Sequence, residues 1–387
     1  MIRKIIKGIL VIILLAAIGF FYFAPEYLDK SKNTVTSKPV NIQKLSWYDS
    51  IPFIADLHCD ALLWNRNFLK EHAYGHVDLP RMQKANMALE IFTIVSKTPK
   101  GMNIEENSDK TDNIGLLSFA QLRPYNTWFD ITNRALNQCN DLHRFAEKSN
   151  KEFRVVTSQK ELQQFVNDRM TNKKLTAGML GLEGAHCLDN DMNNLQKFYD
   201  AGVRYIGLTH FFDNEWAGSA HGMKKEGITD KGKLLLKKMD SLHIIIDLAH
   251  SSPKTIEDIF HLTTGPLLVS HTGVRGMCNN RRNLSDEQII EIGKRNGLIG
   301  IGLWETAVCG TDAAATTKSI KYVVEKIGVD KVALGSDFDG AIQAHFDVTG
   351  LPLIVTALEK EGFTRPQIEM IMGGNIRDFF LRNLPVQ

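Results

Sequence analysis

The stretch IADLHCDALLW, Ile54–Trp64, is an apolar run that stops at His58-Cys59-Asp60. Successive side chains of a strand alternate faces, so His58 and Asp60 point one way and Cys59 the other. An imidazole and a carboxylate at the tip of a buried strand suit a metal ion. They equally suit a hydrogen-bonded pair that caps the strand. The choice depends on whether the rest of the chain brings more donors to the same level.

Seven further runs share the character of IPFIADLH: MALEIFTIV, AGMLGLEG, VRYIGLTH, HIIIDLAH, PLLVSHT, LIGIGLW and KVALGSDF. They are near-continuous rather than alternating, the pattern of parallel strands covered on both faces. Helical stretches separate them. SDEQIIEIGKRNG and TRPQIEMIMGGN each open with a capping box, Ser285 with Gln288 and Thr364 with Gln367. Eight strands alternating with helices predict an α/β fold of the (β/α)8 TIM-like barrel type, with a doubly wound open sheet as the alternative. A long excursion at about residues 96–176 breaks the rhythm after the second strand. It reads as helices and one extra strand (FRVVTS) that wall the site.

The ends of these runs carry the chemistry. The third ends in Glu183, the fourth in His210, the fifth in His250, the sixth in His271 and the eighth in Asp337. In a (β/α)8 barrel the C-terminal strand ends form the mouth where catalytic groups gather. A lone histidine would be a satisfied core residue, but His58, His210, His250 and His271 share one rim with Asp60, Glu183 and Asp337. That set predicts a metal centre. Imidazole and carboxylate without thiolate suit zinc or another first-row divalent ion. There are more donors than one ion needs, and Glu183 has two oxygens with which to bridge a pair. Two divalent cations are neutralised by Asp60, Glu183, Asp337 and one hydroxide, and such a pair activates a shared water.

The composition sets limits on function. Of 387 residues 43% are hydrophobic and 23% charged, with a formal net charge of +2, so there is no electrostatic footprint for nucleic acid. GIGLWE lacks the third glycine and the helix start of a dinucleotide fingerprint. Five scattered cysteines without a CxxC exclude a disulfide scaffold and a structural zinc knuckle.

The N-terminus, MIRKIIKGILVIILLAAIGFFYFAPEY, places Arg3, Lys4 and Lys7 before an uncharged run from Gly8 to Ala24. That length is just enough for a membrane-spanning helix, which takes roughly 17–25 residues. Residues 1–24 read as an uncleaved signal anchor, because aromatic residues and Pro25 occupy the region where a cleavage site needs small ones; a cleaved signal peptide is the alternative. The charge bias favours a cytoplasmic N-terminus only modestly, since Lys30, Lys32 and Lys38 follow. Residues 25–50 read as a polar tether and 51–387 as the barrel domain. The domain is then expected outside the cytoplasm, in the cell envelope or periplasm, or secreted if the helix is cut.

The motifs DLHCD, GLEGAH, RYIGLTH, IDLAHSS, VSHTGVRGMCNNRRN and GSDFDG stand in this order, and with them the chain resembles the membrane (renal) dipeptidase family of zinc metallopeptidases, among the amidohydrolase-like barrels. The resemblance covers about Ile51 to Asn383. It implies that His58 and Asp60 hold one zinc, that His250 and His271 hold a second, and that Glu183 bridges the two Zn2+ ions. It further implies that Asp337 handles the proton, that His210 reaches the scissile carbonyl oxygen and that Arg282 binds the substrate carboxylate, with Arg281 as the rival. Hydrolysis of dipeptides with tolerance of D-residues at the C-terminal position follows from it, as do β-lactam hydrolysis, a homodimer and a disulfide between Cys278 and Cys309. The animal members carry a C-terminal lipid anchor, whereas this chain ends in LRNLPVQ.

Other candidates have weaker positions. His186 could line the pocket. Asp247 is expected on the opposite strand face from His250, as a supporting acid. His243 opens its strand, and Asp339 is placed to orient the loop after the eighth strand. The alternatives to a dipeptidase are an amidohydrolase acting on N-acyl amino acids and an anchored, non-catalytic metal-binding protein.

Overall fold

A computed structural model describes residues 2–37 and 42–387; Met1 and residues 38–41, which include Lys38 and part of the expected tether, lie outside the described residues. The strands are β1 (Thr34–Val35), β2 (Ile54–Cys59), β3 (Met87–Ile94), β4 (Phe153–Val155), β5 (Thr176–Glu183), β6 (Val203–Gly207), β7 (Ile245–Asp247), β8 (Leu267–Thr272), β9 (Leu298–Ile301), β10 (Val332–Leu334) and β11 (Gln343–Ala344). Among the described residues, β2, β3 and β5–β10 form one parallel sheet in the order β10-β9-β8-β7-β6-β5-β3-β2. A parallel bridge between Cys59 and Phe338 brings β2 back beside the continuation of β10, and the Asp60 N–H donates to the Phe338 carbonyl at 2.8 Å. The eight strands thus make a nearly closed barrel, and each of the eight apolar runs contributes one. The strands are buried along their length because helices cover the outside while side chains fill the inside.

The helices form where the sequence signals them. Both capping boxes close, Ser285 with Gln288 and Thr364 with Gln367. The second helix is broken near Gly373, where a Cβ would come within 2.5 Å of the Phe53 carbonyl oxygen; a glycine lets the chain cross the start of β2. The excursion holds helices Asn113–Ala120, Asn126–Phe129, Ile131–Lys148 and Gln159–Thr171, and its strand β4 pairs with β5.

The N-terminal helix α1 runs from Ile2 to Lys32, and by length and composition it is a candidate membrane span. It does not stop at Ala24: the first eight residues of the expected tether, Pro25 to Lys32, continue the helix. Proline costs one intrahelical hydrogen bond here. Docking compensates, since Pro25, Asp29 and Asn33, four residues apart on one face, are buried against the barrel. Asp29 pairs with Arg66 at 2.8 Å, and Arg66 pairs in turn with Asp339 at 2.6 Å. The Asn33 side chain accepts the Ala341 N–H at 2.9 Å, and β1 pairs with β11. The segment leaving α1 is therefore clasped to the loop that follows β10.

Candidate metal centre

The strand ends converge. Glu183, the last residue of β5, lies under four imidazole Nε2 atoms: His250 at 3.0 Å, His210 at 3.3 Å, His271 at 3.4 Å and His58 at 3.5 Å. Asp60 and Asp337 approach His58 Nε2 at 3.5 and 3.9 Å. Three overlapping sets of donors lie each within 4.8 Å: His58, Glu183 and His271; Glu183, His210 and His250; His58, Asp60 and Asp337. All seven side chains at the rim read from the sequence are brought together. His210 is as close to Glu183 as the other three, so distance alone does not separate it from them.

The ring orientations fit a cation. The Ser270 hydroxyl donates to Asp247 Oδ2 at 2.6 Å, so its remaining lone pairs face His271 Nδ1 at 2.9 Å and His58 Nδ1 at 3.2 Å. Both histidines must then carry a proton on Nδ1, which leaves Nε2 as the atom a metal would take. His58 Nε2 is buried with no hydrogen-bond partner among the described residues, and His250 Nε2 and His271 Nε2 lie 3.0 Å apart. Thr93 fixes Asp60 through a short hydrogen bond to Oδ1.

The electrostatics agree. Burial alone would disfavour the His58 imidazolium, but Glu183, Asp60 and Asp337 override it and hold its pKa up at about 10. Burial, then the charge of Asp60, pushes Glu183 well above the usual carboxylate range, and Asp337 is pushed up to about 8, chiefly by burial. Burial holds His210, His250 and His271 well below the ordinary histidine value, in the neutral form that binds metal. Buried carboxylates crowded this way either hold protons or are stabilised by cations.

The site also holds strained backbone. His250, Asp337 and Asp339 have φ near +60°, a conformation that costs of order 1–3 kcal/mol for a non-glycine residue and persists only where its surroundings enforce it. Below Asp337, the Asp56 carboxylate accepts the Ser336 N–H at 2.8 Å and its hydroxyl at 2.6 Å. A Cβ on Gly340 would come within 2.0 Å of Asp337 Oδ1, so glycine leaves the room that this carboxylate occupies.

Strand parity misplaces one residue. Asp247 lies inside the barrel, not on the opposite face from His250, because β7 ends at Asp247 and the left-handed turn at His250 resets the alternation. Asp56 and Ser270 stand inside the DLHCD and VSHTGVRGMCNNRRN motifs without having been singled out, and Thr93 lies in no motif; only their place one or two residues from ligand-type residues, or on a neighbouring strand, could have pointed to them. His186 is tied to Ser96 at 3.0 Å, packs on Phe212 and stays neutral by burial. His243 sits at the far end of its strand. Asp339 does orient its loop, accepting the backbone N–H groups of His76 at 2.7 Å and Val77 at 3.1 Å.

A cavity of about 710 Å³ opens over the donors, within the ~300–1,000 Å³ typical of ligand sites. Arg282 lines it, held by the His271 carbonyl at 2.7 Å, while Arg281 points out to Glu105. The loop that carries Arg282 is closed by a disulfide between Cys278 and Cys309. Phe20, Ala24, Leu28 and Lys32 of α1 and residues 98–120 of the excursion complete the walls. His221, absent from the sequence reading, also lines the cavity; one ring nitrogen is bound to the Ile104 carbonyl at 2.8 Å and the other is unpartnered among the described residues.

Comparison with known proteins places this site in a family. Residues 49–380 match the model of the membrane dipeptidases (peptidase family M19). Dipeptidase tcpJ of Claviceps purpurea is 27% identical over 311 residues, 78% of this chain and 68% of the relative. Dipeptidase aclJ of Aspergillus oryzae is 25% identical over 348 residues, 84% of this chain and 76% of the relative. A Rhodobacter sphaeroides metallopeptidase, solved with a phosphinate mimic of the dipeptide L-Ala-D-Ala, has the same fold with a TM-score of 0.71 at 23% identity, covering 86% of this chain and 99% of its own. The chain belongs to the membrane dipeptidase family and is a hydrolase of its metallopeptidase type.

Proposed function

We propose that this chain is an exported, membrane-anchored dipeptidase that works with two zinc ions and accepts D-residues at the C-terminal position. The observation that carries the reading is the single carboxylate, Glu183, facing four Nε2 atoms at 3.0–3.5 Å with Asp60 and Asp337 beside them. His58 and Asp60 would hold one ion, His250 and His271 the other, and Glu183 both. Bound there, zinc supplies Lewis acidity that polarises a carbonyl and acidifies a water.

The remaining chemistry belongs to side chains. A dipeptide enters with its terminal carboxylate on the planar guanidinium fork of Arg282. Water attacks the carbonyl carbon, and Asp337 takes the proton that the water loses. The same carboxyl then gives that proton to the leaving nitrogen as the C–N bond breaks. His210, neutral because it is buried, donates to the oxygen on which charge develops, an interaction strongest in the transition state. The walls contributed by α1 and residues 98–120 limit the length of peptide admitted. D-residue tolerance draws on the ligand of the Rhodobacter sphaeroides neighbour.

The test is metal content measured together with turnover of Ala-Ala, Gly-D-Ala, a C-terminally amidated dipeptide and N-acetyl-alanine. Zinc-dependent cleavage of the free dipeptides, lost on chelation, is the expected result. Cleavage of the N-acyl amino acid alone would assign the chain to amidohydrolases of that class. Metal uptake without turnover on any of the four would make it a binding protein.

A further inference from the structure

We propose that residues 116–129 form a second membrane contact beside α1, so that the mouth of the metal cavity opens at the bilayer surface. The inference rests on reading α1 as a membrane span. Every residue of α1 from Ile2 to Ala16 is exposed, and Ala17 is the first that is partly buried. The uncharged run ends at Ala24, seven residues further on, which is about 10 Å of helix at 1.5 Å per residue. Whatever touches α1 between Ala17 and Ala24 must then lie at the level of the outer lipid headgroups and the first part of the acyl chains.

What touches it is the excursion. α1 packs on helix Asn113–Ala120, and Phe21 meets Phe119 with ring centroids 5.2 Å apart. From Phe119 the rings continue without a break to Trp128 at 4.9 Å, then Tyr125 at 5.2 Å, then Phe129 at 5.9 Å. This surface is open and apolar: Leu116 is 69% exposed, Leu122 62%, Tyr125 71% and Phe129 82%. Between Ile114 and Phe129 the sequence has one charge, Arg123, and it is paired with Asp141. A soluble surface of this size without charge marks an interaction site. Aromatic rings beside a span are the composition of the membrane interface. Tyr22, Phe23 and Tyr27 of α1, all exposed, extend the belt around the helix. Phe20, Ala24 and Leu28 on the same helix wall the cavity, so a cavity mouth held at this depth faces lipid headgroups rather than open solvent.

The full chain is reconstituted into phosphatidylcholine/phosphatidylglycerol vesicles with a nitroxide at Phe129→Cys, at Leu116→Cys in a second variant, and at Lys237→Cys on the outer helical shell as the aqueous reference. The free native cysteines Cys59, Cys139 and Cys187 are buried. Labels at 129 and 116 are expected to show an oxygen-to-nickel-chelate collision ratio several-fold above that at 237. Equal nickel access at all three positions overturns the inference, and so does spin–spin broadening at 129 from a second copy, which would make the face a self-interface. A carbonate wash separates the two readings. Retention of the chain upholds the span whatever the labels report; release overturns the span and this inference with it.

Discussion

The cavity has two unlike halves. Its floor is polar, comes from seven side chains on six strands, and is braced from beneath by Ser270, Asp247, Thr93 and Asp56. Its roof is apolar, comes from α1 and residues 98–120, and is held to the barrel through the Asp29–Arg66–Asp339 chain and the β1–β11 pair. The floor is over-determined, as a site that orients reacting atoms must be. The roof has few ties and decides what enters and from where. Changes in the floor should therefore appear in kcat and metal content, and changes in the roof in KM.

The sharpest test of the floor is Asp337→Asn. The amide keeps the shape but takes no proton, so kcat should fall by about 10²–10⁴-fold with bound metal nearly unchanged. Steady-state kinetics paired with metal analysis checks it; a variant that retains full turnover takes Asp337 out of the proton path. Ser270→Ala comes next. It removes the acceptor that keeps His58 and His271 in the Nδ1–H form, and outer partners of this kind are worth about 10–100-fold in metal affinity or activity. Metal titration should show the loss, with Ser270→Thr recovering part of it.

Metal uptake should also release protons. His58, held at about 10, and Asp337, held at about 8, keep their protons at pH 7 in the metal-free chain, and cations displace them. Because these values are raised, acid strengthens the protons' competition: affinity falls with decreasing pH, by roughly tenfold per unit for each proton released. Above about pH 10 these two groups are already deprotonated and contribute no further dependence. Calorimetry in buffers of different ionisation enthalpy counts the protons; no release at pH 7 would mean that the carboxylates around His58 do not govern it.

The two halves also differ in how far the sequence reveals them. Each floor residue sits at or just past the end of an apolar run, so the strand rhythm that predicts the barrel also predicts the rim. Asp247 escaped because parity holds only within a strand, and the positive φ at His250 lies beyond it. Ser270 and Thr93 escaped because a small hydroxyl residue in a strand looks like packing until its partner across the sheet is known. The roof was far less legible. Asp29 and Asn33 lie in a polar stretch that reads as linker, and their partners Arg66, Asp339 and Ala341 are distant in sequence. Contacts between remote segments that share no period leave no local signature.

That last contact gives the mildest test and the one that best separates the halves. Asp29→Asn preserves the side chain's shape and leaves Arg66 paired with Asp339, so the barrel keeps its buried charge balance. What is lost is the charge that holds the end of α1, at a group 2.8 Å from the Arg66 guanidinium. Asn33 loses part of its anchor as well, because its amide donates to the same carboxylate at 2.8 Å. With the helix end loosened, Phe20, Ala24 and Leu28 should line the cavity less firmly. KM for dipeptides with large apolar side chains should then rise a few-fold, with kcat for Gly-Gly unchanged, since nothing in the floor has moved. A fall in kcat across all substrates with KM constant would show that the strap feeds into the loop bearing Asp337 and that the two halves are one mechanical unit. Arg66→Met, which strips both acids of their partner, provides the upper bound: breaking a buried ion pair from one side costs about 3–5 kcal/mol. Its thermal unfolding should therefore shift far more than that of Asp29→Asn if the strap and the barrel are separable.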